Sequence, residues 1–195
     1  EFVPGERRHW GHAVLTAKRI FGTAQRVTAS RTKPSRGLIS ADYNNNQAMV
    51  TGTHLFSAPL DGSRLGQGKW MHEGGTILNP TITLSGGRVF FVETTKPVSG
   101  SGRHSLDTLR KAGLQIVCLD AETGGRLWAR PVDNGLERSR SILFLAASGE
   151  QLIATGSHLG AGNDTAYRVH CYAAKTGREI WSASHLKGLP GAFTH

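Results

Sequence analysis

The chain has 195 residues, of which 38% are hydrophobic and 19% charged, and it contains 25 glycines. This composition is typical of a globular, turn-rich protein that can bury a substantial core. No apolar stretch approaches the roughly 20 residues of a transmembrane helix, and no signal-peptide core is visible, so the sequence predicts no membrane span.

The first part of the chain, residues 10–70, reads as one structural unit. An apolar run, Ala17–Ala24, predicts a strand, and Thr53–Trp70 predicts a hairpin. The stretch between them, Thr28–Asn46, is rich in polar residues and predicts a long exposed loop.

A second unit, residues 75–133, has the same order of parts. Gly86–Glu93 is an apolar strand that follows a glycine turn, and Gln115–Pro131 reads as strand, tight turn and strand. The polar stretch between them, Lys96–Gly113, again predicts an exposed loop.

The third unit, residues 141–185, repeats the second. Its strand is Gly149–Thr155, its polar stretch Ser157–Thr165 is predicted to be an exposed loop, and its hairpin is Arg168–Ser184. Without gaps, the hairpin aligns with Gln115–Pro131 and pairs Cys118 with Cys171, Ala121 with Ala174, Thr123 with Thr176, Gly124 with Gly177 and Trp128 with Trp181. One supersecondary unit is therefore used more than once.

These hairpins are apolar on both faces and need cover on both sides. A period of roughly 40 to 60 residues favours stacked sheets such as propeller blades over solenoid coils. We therefore predict an all-β fold: a β-propeller segment of about three four-stranded antiparallel blades, with residues 186–195 starting a further blade. Propellers usually close with about 4 to 8 blades, so we expect flanking blades of a parent chain or self-association to cover the open faces.

The two cysteines, Cys118 and Cys171, occupy equivalent strands of successive units. Stacked sheets lie about 10 Å apart, whereas the Cα atoms of a disulfide lie within about 7 Å of each other. The sequence therefore predicts two buried free thiols, and no Cys/His pattern of a metal site accompanies them.

The net charge of +9 does not by itself indicate a nucleic-acid partner. The basic residues are spread over predicted loops and do not cluster with stacking aromatic residues, so we predict no specific nucleic-acid binding. Among the nine histidines only His9 and His12 lie close together, in a segment predicted to be extended, where their side chains would point to opposite faces. We predict no metal site.

The pattern Asp-x-x-Thr-Gly-x-x-x-Trp, formed by Asp120, Thr123, Gly124 and Trp128, resembles the tryptophan-docking motif of the pyrroloquinoline-quinone-like (PQQ-like) β-propeller repeat. The third unit keeps Thr176, Gly177 and Trp181 but has Ala173 for the aspartate, and the first unit keeps only Gly66 and Trp70. Other segments look like the repeat proteins of large bacterial extracytoplasmic polypeptides. The resemblance implies that the Trp of one blade packs against the turn of its neighbour, and it suggests the periplasm or the cell exterior.

The resemblance covers both enzymes and proteins without catalytic activity. In the quinoprotein dehydrogenases it implies a pair of adjacent cysteines, a Trp platform, a Ca²⁺ site and an Asp base, and no adjacent cysteines occur in this sequence. We therefore predict a non-catalytic propeller scaffold without its own cofactor, which presents loops to a protein, a polysaccharide or a neighbouring domain. The alternative is a fragment of a PQQ-dependent oxidoreductase that uses PQQ with calcium. The sequence identifies no catalytic residue and no cofactor-binding residue.

Overall fold

The computed structural model describes residues 8–26, 49–61, 69–100, 102–133, 135–138, 142–159 and 165–185. The predicted loop Thr28–Asn46, the turn around Gly66 and the predicted start of a further blade at 186–195 lie outside the described residues. Among the described residues, no helix is long and apolar enough to cross a membrane.

The described strands form a nine-stranded and a four-stranded antiparallel sheet. We call the two halves of the nine-stranded sheet the first and second sheets, because only the residue pair Ile77 and Glu93 joins them, and the four-stranded sheet is the third. The first sheet contains β1 (Arg8–Leu15), β2 (Arg19–Arg26), β3 (Met49–Pro59) and β4 (Trp70–Leu78). The second contains β5 (Thr83–Ser85), β6 (Arg88–Thr94), β8 (Leu114–Asp120) and β9 (Arg126–Pro131), and the short strand β7 (Arg103–His104) pairs with β3. The third contains β10 (Ile142–Ser148), β11 (Gln151–Leu159), β12 (Thr165–Ala173) and β13 (Glu179–His185).

The three sheets stack face to face because the central strands are apolar on both sides. Successive side chains of a strand point to opposite faces, and on β6 this sends Phe91 towards the first sheet and Phe90 towards the third. Both rings are fully buried. The first and second sheets are also joined where Ile77 of β4 pairs with Glu93 of β6.

Two apolar cores fill the spaces between the sheets. The first interface, between the first and second sheets, buries Phe21, Leu55, Ile77, Ile82, Val89, Phe91, Val117 and Leu119. The second interface, between the second and third sheets, includes Phe90, Val92, Ile116, Cys118, Leu143, Leu145, Leu152, Ala154 and Tyr172. This architecture is that of consecutive propeller blades, and it confirms the predicted fold class, a partial β-propeller of four-stranded antiparallel sheets.

The prediction that Lys96–Gly113 is an exposed loop was wrong. The segment contains β7 and a short helix, α1 (Leu106–Lys111), whose Leu106 and Leu109 are buried in the second interface. Two apolar residues three apart lie on one side of a helix, and Ser105 caps its start by accepting a hydrogen bond from the Thr108 amide. The many polar residues around this pair concealed it.

Two further boundaries differ from the sequence prediction. Trp70 begins the fourth strand of the first sheet, so β4 continues to Leu78, beyond the predicted end of the first unit at residue 70. The predicted loop Ser157–Thr165 is also shorter than expected, because β11 runs to Leu159 and Ser157 is buried.

Candidate functional site

Trp70, the first residue of β4, connects the first and second sheets at the edge of the first interface. Its indole nitrogen donates a hydrogen bond to the carbonyl oxygen of Ala121, at 3.1 Å, in the hairpin between β8 and β9. Gly124 of that hairpin has a φ of +73°, and a Cβ placed on it would lie 2.5 Å from Trp70 Cδ2. Only glycine fits both the backbone conformation and the close approach of the ring.

Trp128 of β9 makes the same contact one sheet further on. Its indole nitrogen donates to the carbonyl oxygen of Ala174 at 3.0 Å, and its ring lies 2.8 Å from where a Cβ on Gly177 would be. Gly177 has a φ of +70°. Two interfaces thus share one arrangement: a tryptophan of a fourth strand lies on the glycine turn of the next sheet.

Asp120 and Thr123 shape the turn that receives Trp70. Oδ1 of Asp120 accepts hydrogen bonds from the Thr123 amide at 2.8 Å, the Thr123 hydroxyl at 2.9 Å and the Glu122 amide at 3.0 Å. The bonds from Thr123 and Glu122 favour the charged carboxylate and lower the pKa of Asp120 from its ordinary value of 3.8.

The turn that receives Trp128 forms without a carboxylate. Ala173 occupies the place of Asp120, and its carbonyl oxygen accepts hydrogen bonds from the amides of Thr176 at 3.1 Å and Gly177 at 2.8 Å. The Thr176 hydroxyl also accepts a hydrogen bond from the Arg178 amide at 3.3 Å, so this turn is held without the aspartate.

Trp181 occupies the position of Trp70 and Trp128 on the third sheet. It pairs across the strands with Cys171, as Trp128 pairs with Cys118. Among the described residues no sheet covers it, and 46% of its surface is exposed.

A buried carboxylate lies within the first interface. Glu93 of β6 is 2% exposed, and one of its oxygens lies 3.0 Å from Nε2 of His72 on β4 and accepts a hydrogen bond from the Gly75 amide, also at 3.0 Å. The other oxygen accepts from Nε2 of Gln115 at 3.0 Å. Sequence reasoning missed this network. Its signal in the sequence was Glu93, a carboxylate at the end of the apolar run of β6.

Sequence reasoning also missed a polar cluster in the second interface. Arg130 donates to the Gly177 carbonyl oxygen at 2.6 Å and to Asp133 at 3.2 Å, and its guanidinium lies 4.5 Å from the centre of the Tyr172 ring. The Tyr172 ring stacks on His170, and His170 Nδ1 lies 3.1 Å from a Glu179 oxygen. These residues belong to different units, so no local sequence motif predicts their contact.

An open cavity of about 380 Å³ lies at the rim of the first interface. Its charged lining includes Lys18, Arg19, Asp61 and Glu122. Arg19 donates hydrogen bonds to Glu122 at 2.9 Å and to Ser57 at 2.8 Å, so the charge of Arg19 is compensated by Glu122 within the protein. The cavity therefore lies at the edge where the first and second sheets meet.

Both cysteines are buried and free, as the sequence predicted. Burial raises the pKa of Cys118 to about 12, which keeps that thiol protonated and unreactive at neutral pH. Within the described ranges, no three His, Cys, Asp or Glu side chains form a group that could hold a metal ion.

Comparison with known proteins finds similarity at the level of solved structures. No family model matches the chain, and no curated protein matches it. Among the solved structures, the chain is similar to a europium-containing methanol dehydrogenase, with 14% sequence identity and a TM-score of 0.48, over 93% of this chain and 25% of that chain. The chain thus spans about a quarter of the length of that protein.

Proposed function

We propose that this chain is a non-catalytic propeller scaffold whose third sheet receives a further blade. The observation that carries the proposal is the repeated contact of Trp70 and Trp128 with the next sheet, together with the open position of Trp181. A scaffold of this kind needs a rigid stack of sheets, and the two closed interfaces supply it.

Equivalent rows of side chains on the second and third sheets support this proposal. On the second sheet, Phe90, Cys118 and Trp128 lie side by side in register and face the third sheet. On the third sheet the same row is formed by Ile153, Cys171 and Trp181.

The third sheet covers the row on the second sheet, whereas no sheet among the described residues covers the equivalent row on the third. Phe90 is fully buried, whereas Trp181 is 46% exposed and Phe144, on the same face, is 47% exposed. Exposed apolar faces of this kind usually mark a contact with another protein surface.

The chemistry of the two closed interfaces defines the occupant that we propose. It is a further antiparallel sheet with a hairpin that offers a backbone carbonyl to the Trp181 indole and a glycine beneath its ring. In the 195-residue chain alone, this face has no such sheet among the described residues, so copies of the chain should associate through it.

The sedimentation velocity of three chains tests this proposal. The wild type should self-associate with increasing concentration, and Trp181→Glu should shift it towards the monomer, because a charge on this face opposes apolar contact. Ile180→Glu is the matched control, since Ile180 is 47% exposed on the opposite face of the same strand and its change should leave association intact. A wild-type chain that stays a folded monomer at all concentrations would contradict the proposal.

We also propose that the chain binds no PQQ and catalyses no redox reaction. Support comes from the sequence, which has no adjacent cysteines, and from the tryptophans Trp70 and Trp128, which are both engaged in contacts between sheets. Titration of PQQ with and without Ca²⁺ should leave the tryptophan fluorescence unchanged apart from nonspecific absorption. Saturable, calcium-dependent quenching would favour the alternative, a fragment of a quinone-dependent oxidoreductase.

The resemblance to PQQ-like repeats supports two further parts of the proposal. We place the protein in the periplasm or outside the cell, and we expect its loops to contact a protein, a polysaccharide or a neighbouring domain. Fractionation of the producing cells tests the location, and recovery in the cytoplasmic fraction would contradict it.

A further inference from the structure

The two ends of the stack present different faces. We call the side of each sheet that carries Trp70, Trp128 or Trp181 its tryptophan face, and the opposite side its receiving face. In both closed interfaces the tryptophan face of one sheet lies on the receiving face of the next, since Trp70 meets the second sheet and Trp128 meets the third. In the described part of the chain, this order leaves the receiving face of the first sheet at one end and the tryptophan face of the third sheet at the other.

The receiving faces of the first and second sheets have a similar centre. Gly22 and Phe91 are equivalent, because each follows a phenylalanine that points to the next sheet, Phe21 or Phe90. Phe91 supplies a buried ring to the first interface. On the first sheet, Phe56 pairs with Gly22 across the strands, and its ring lies 2.7 Å from where a Cβ on Gly22 would be. Each receiving face therefore has one phenyl ring at its centre.

A neighbouring apolar pair differs between these two faces only in its cover. On the second sheet, Leu84 pairs with Val89, which is fully buried, and Leu84 packs against the core of the first interface. On the first sheet, Leu15 pairs with Ile20 in the same way, but Leu15 is 65% exposed. The first sheet thus exposes an apolar position that the second sheet buries against a tryptophan face.

Uncharged side chains form the centre of the tryptophan face of the third sheet. The residues that alternate with the buried Leu145, Leu152 and Tyr172 point to this face, because those three point to the second sheet. Within 144–148, 151–157 and 167–173, these alternate residues include no Asp, Glu, Lys or Arg. Such a surface suits contact with another apolar surface.

Exposed apolar side chains concentrate at the two ends. In the described ranges eight large apolar side chains are exposed, and five of them lie on the two end faces. They are Trp10, Leu15 and Met71 on the receiving face of the first sheet, and Phe144 and Trp181 on the tryptophan face of the third. The receiving face also carries Glu73, which lies 3.5 Å from His54.

We propose that the receiving face of the first sheet binds the tryptophan face of the third sheet of a second copy, and that two copies close into a ring. This inference rests on the proposed scaffold function and adds which surface of the partner is used. Contact between unlike faces can close into a ring, in which each copy covers both ends of the other. Two copies with three sheets each contain six sheets, within the range of about 4 to 8 blades in closed propellers, whereas three copies would contain nine.

Mixing two variants in sedimentation velocity tests the contact between unlike faces. Leu15→Glu and Trp181→Glu should each raise the Kd of the dimer by at least about tenfold, because each buries an unpaired charge in an apolar contact. An equimolar mixture should form dimers again. A copy with Leu15→Glu keeps its tryptophan face, and a copy with Trp181→Glu keeps its receiving face, so one intact interface can join them.

Leu127→Glu is the matched control for this experiment. Leu127 is 51% exposed on β9 of the second sheet, which belongs to neither end of the stack, so this variant should form dimers like the wild type. The wild type should reach twice the mass of one chain and no more as its concentration rises.

The possible failures of this inference and of the scaffold function differ. If Leu15→Glu associates like the wild type and Trp181→Glu does not, the tryptophan faces of two copies meet each other, which overturns this inference but leaves the scaffold function standing. A mixture that stays monomeric also overturns it, and wild-type species larger than a dimer would overturn the ring. A wild type that stays a folded monomer contradicts both proposals.

Discussion

Trp128 of the second sheet donates its indole N–H to the carbonyl oxygen of Ala174 on the third sheet, 3.0 Å away. The bond fixes the edge of the second interface, and the ring beside it covers Gly177. A single residue thus joins the two sheets through both a directional bond and an apolar contact.

Replacing Trp128 tests how much this contact contributes to stability. Trp128→Ala should lower the free energy of unfolding by about 3 to 5 kcal/mol, because it leaves a cavity and an unbonded carbonyl between two sheets. Urea denaturation at low protein concentration measures the change. Trp181→Ala is the matched control and should cost less than about 1 kcal/mol in the monomer; a similarly small loss for Trp128→Ala would show that it does not dock the sheets.

A methyl group at Gly124 should be much less tolerated than one at Gly87. The two glycines have φ values of +73° and +72°, but a Cβ on Gly124 would meet the Trp70 ring, and one on Gly87 would meet nothing within 4 Å. Gly87→Ala should therefore cost only the backbone strain, about 1 kcal/mol, and Gly124→Ala about 2 to 4 kcal/mol, as read from urea midpoints. Equal losses would mean that the close approach of Trp70 is unimportant.

The buried carboxylate of Glu93 should be sensitive to loss of its charge. Glu93→Gln places an amide N–H₂ among groups that donate, and it should cost about 2 to 4 kcal/mol in thermal or urea unfolding. Glu122→Gln is the exposed control, because Glu122 pairs with Arg19 at a side-chain exposure of 76% and should change stability by less than about 1 kcal/mol. A Glu93→Gln variant as stable as the control would show that the network carries no net stability.

Acid should weaken the turn that contains Asp120. The pKa of Asp120 is lowered in the folded protein, so its contribution is complete above the ordinary value of 3.8 and is lost as the pH falls below it. Because the side chain is partly exposed, we expect a difference below about 1 kcal/mol between the wild type and Asp120→Asn, present at neutral pH and diminishing as the pH falls below 3.8. Ala173→Asp, which places an aspartate at the equivalent position of the third unit, should be more stable than the wild type by a similar amount at neutral pH and should lose this advantage in acid. If the Tm difference between the wild type and each variant does not change with pH, this assignment is contradicted.

The sequence allowed the class of fold to be predicted because its signal is local. The apolar run around Phe90 and Phe91 and the glycine turn at Gly124 are each signals of only a few consecutive residues. The paired Cys118 and Cys171 likewise follow from one repeated strand, and their burial as free thiols agrees with the prediction.

The missed features depend on contacts between distant parts of the chain. Leu106 and Leu109 are buried only because the second interface has room for a helix turn, and polar neighbours hide them in the sequence. Arg130 meets Tyr172 because of the rotation between the second and third sheets. That rotation is set by the sum of many packing contacts, and no short pattern specifies it.

The second sheet is covered on both faces, since Phe91 packs against one neighbour and Phe90 against the other. Each outer sheet can thus separate from the stack by opening a single interface, whereas the amides of β6 and β8 become accessible only after both have opened. Among the described strands, these two should therefore exchange their amide protons with solvent last, and the slowest exchange should report the stability of the whole stack and not that of any one sheet.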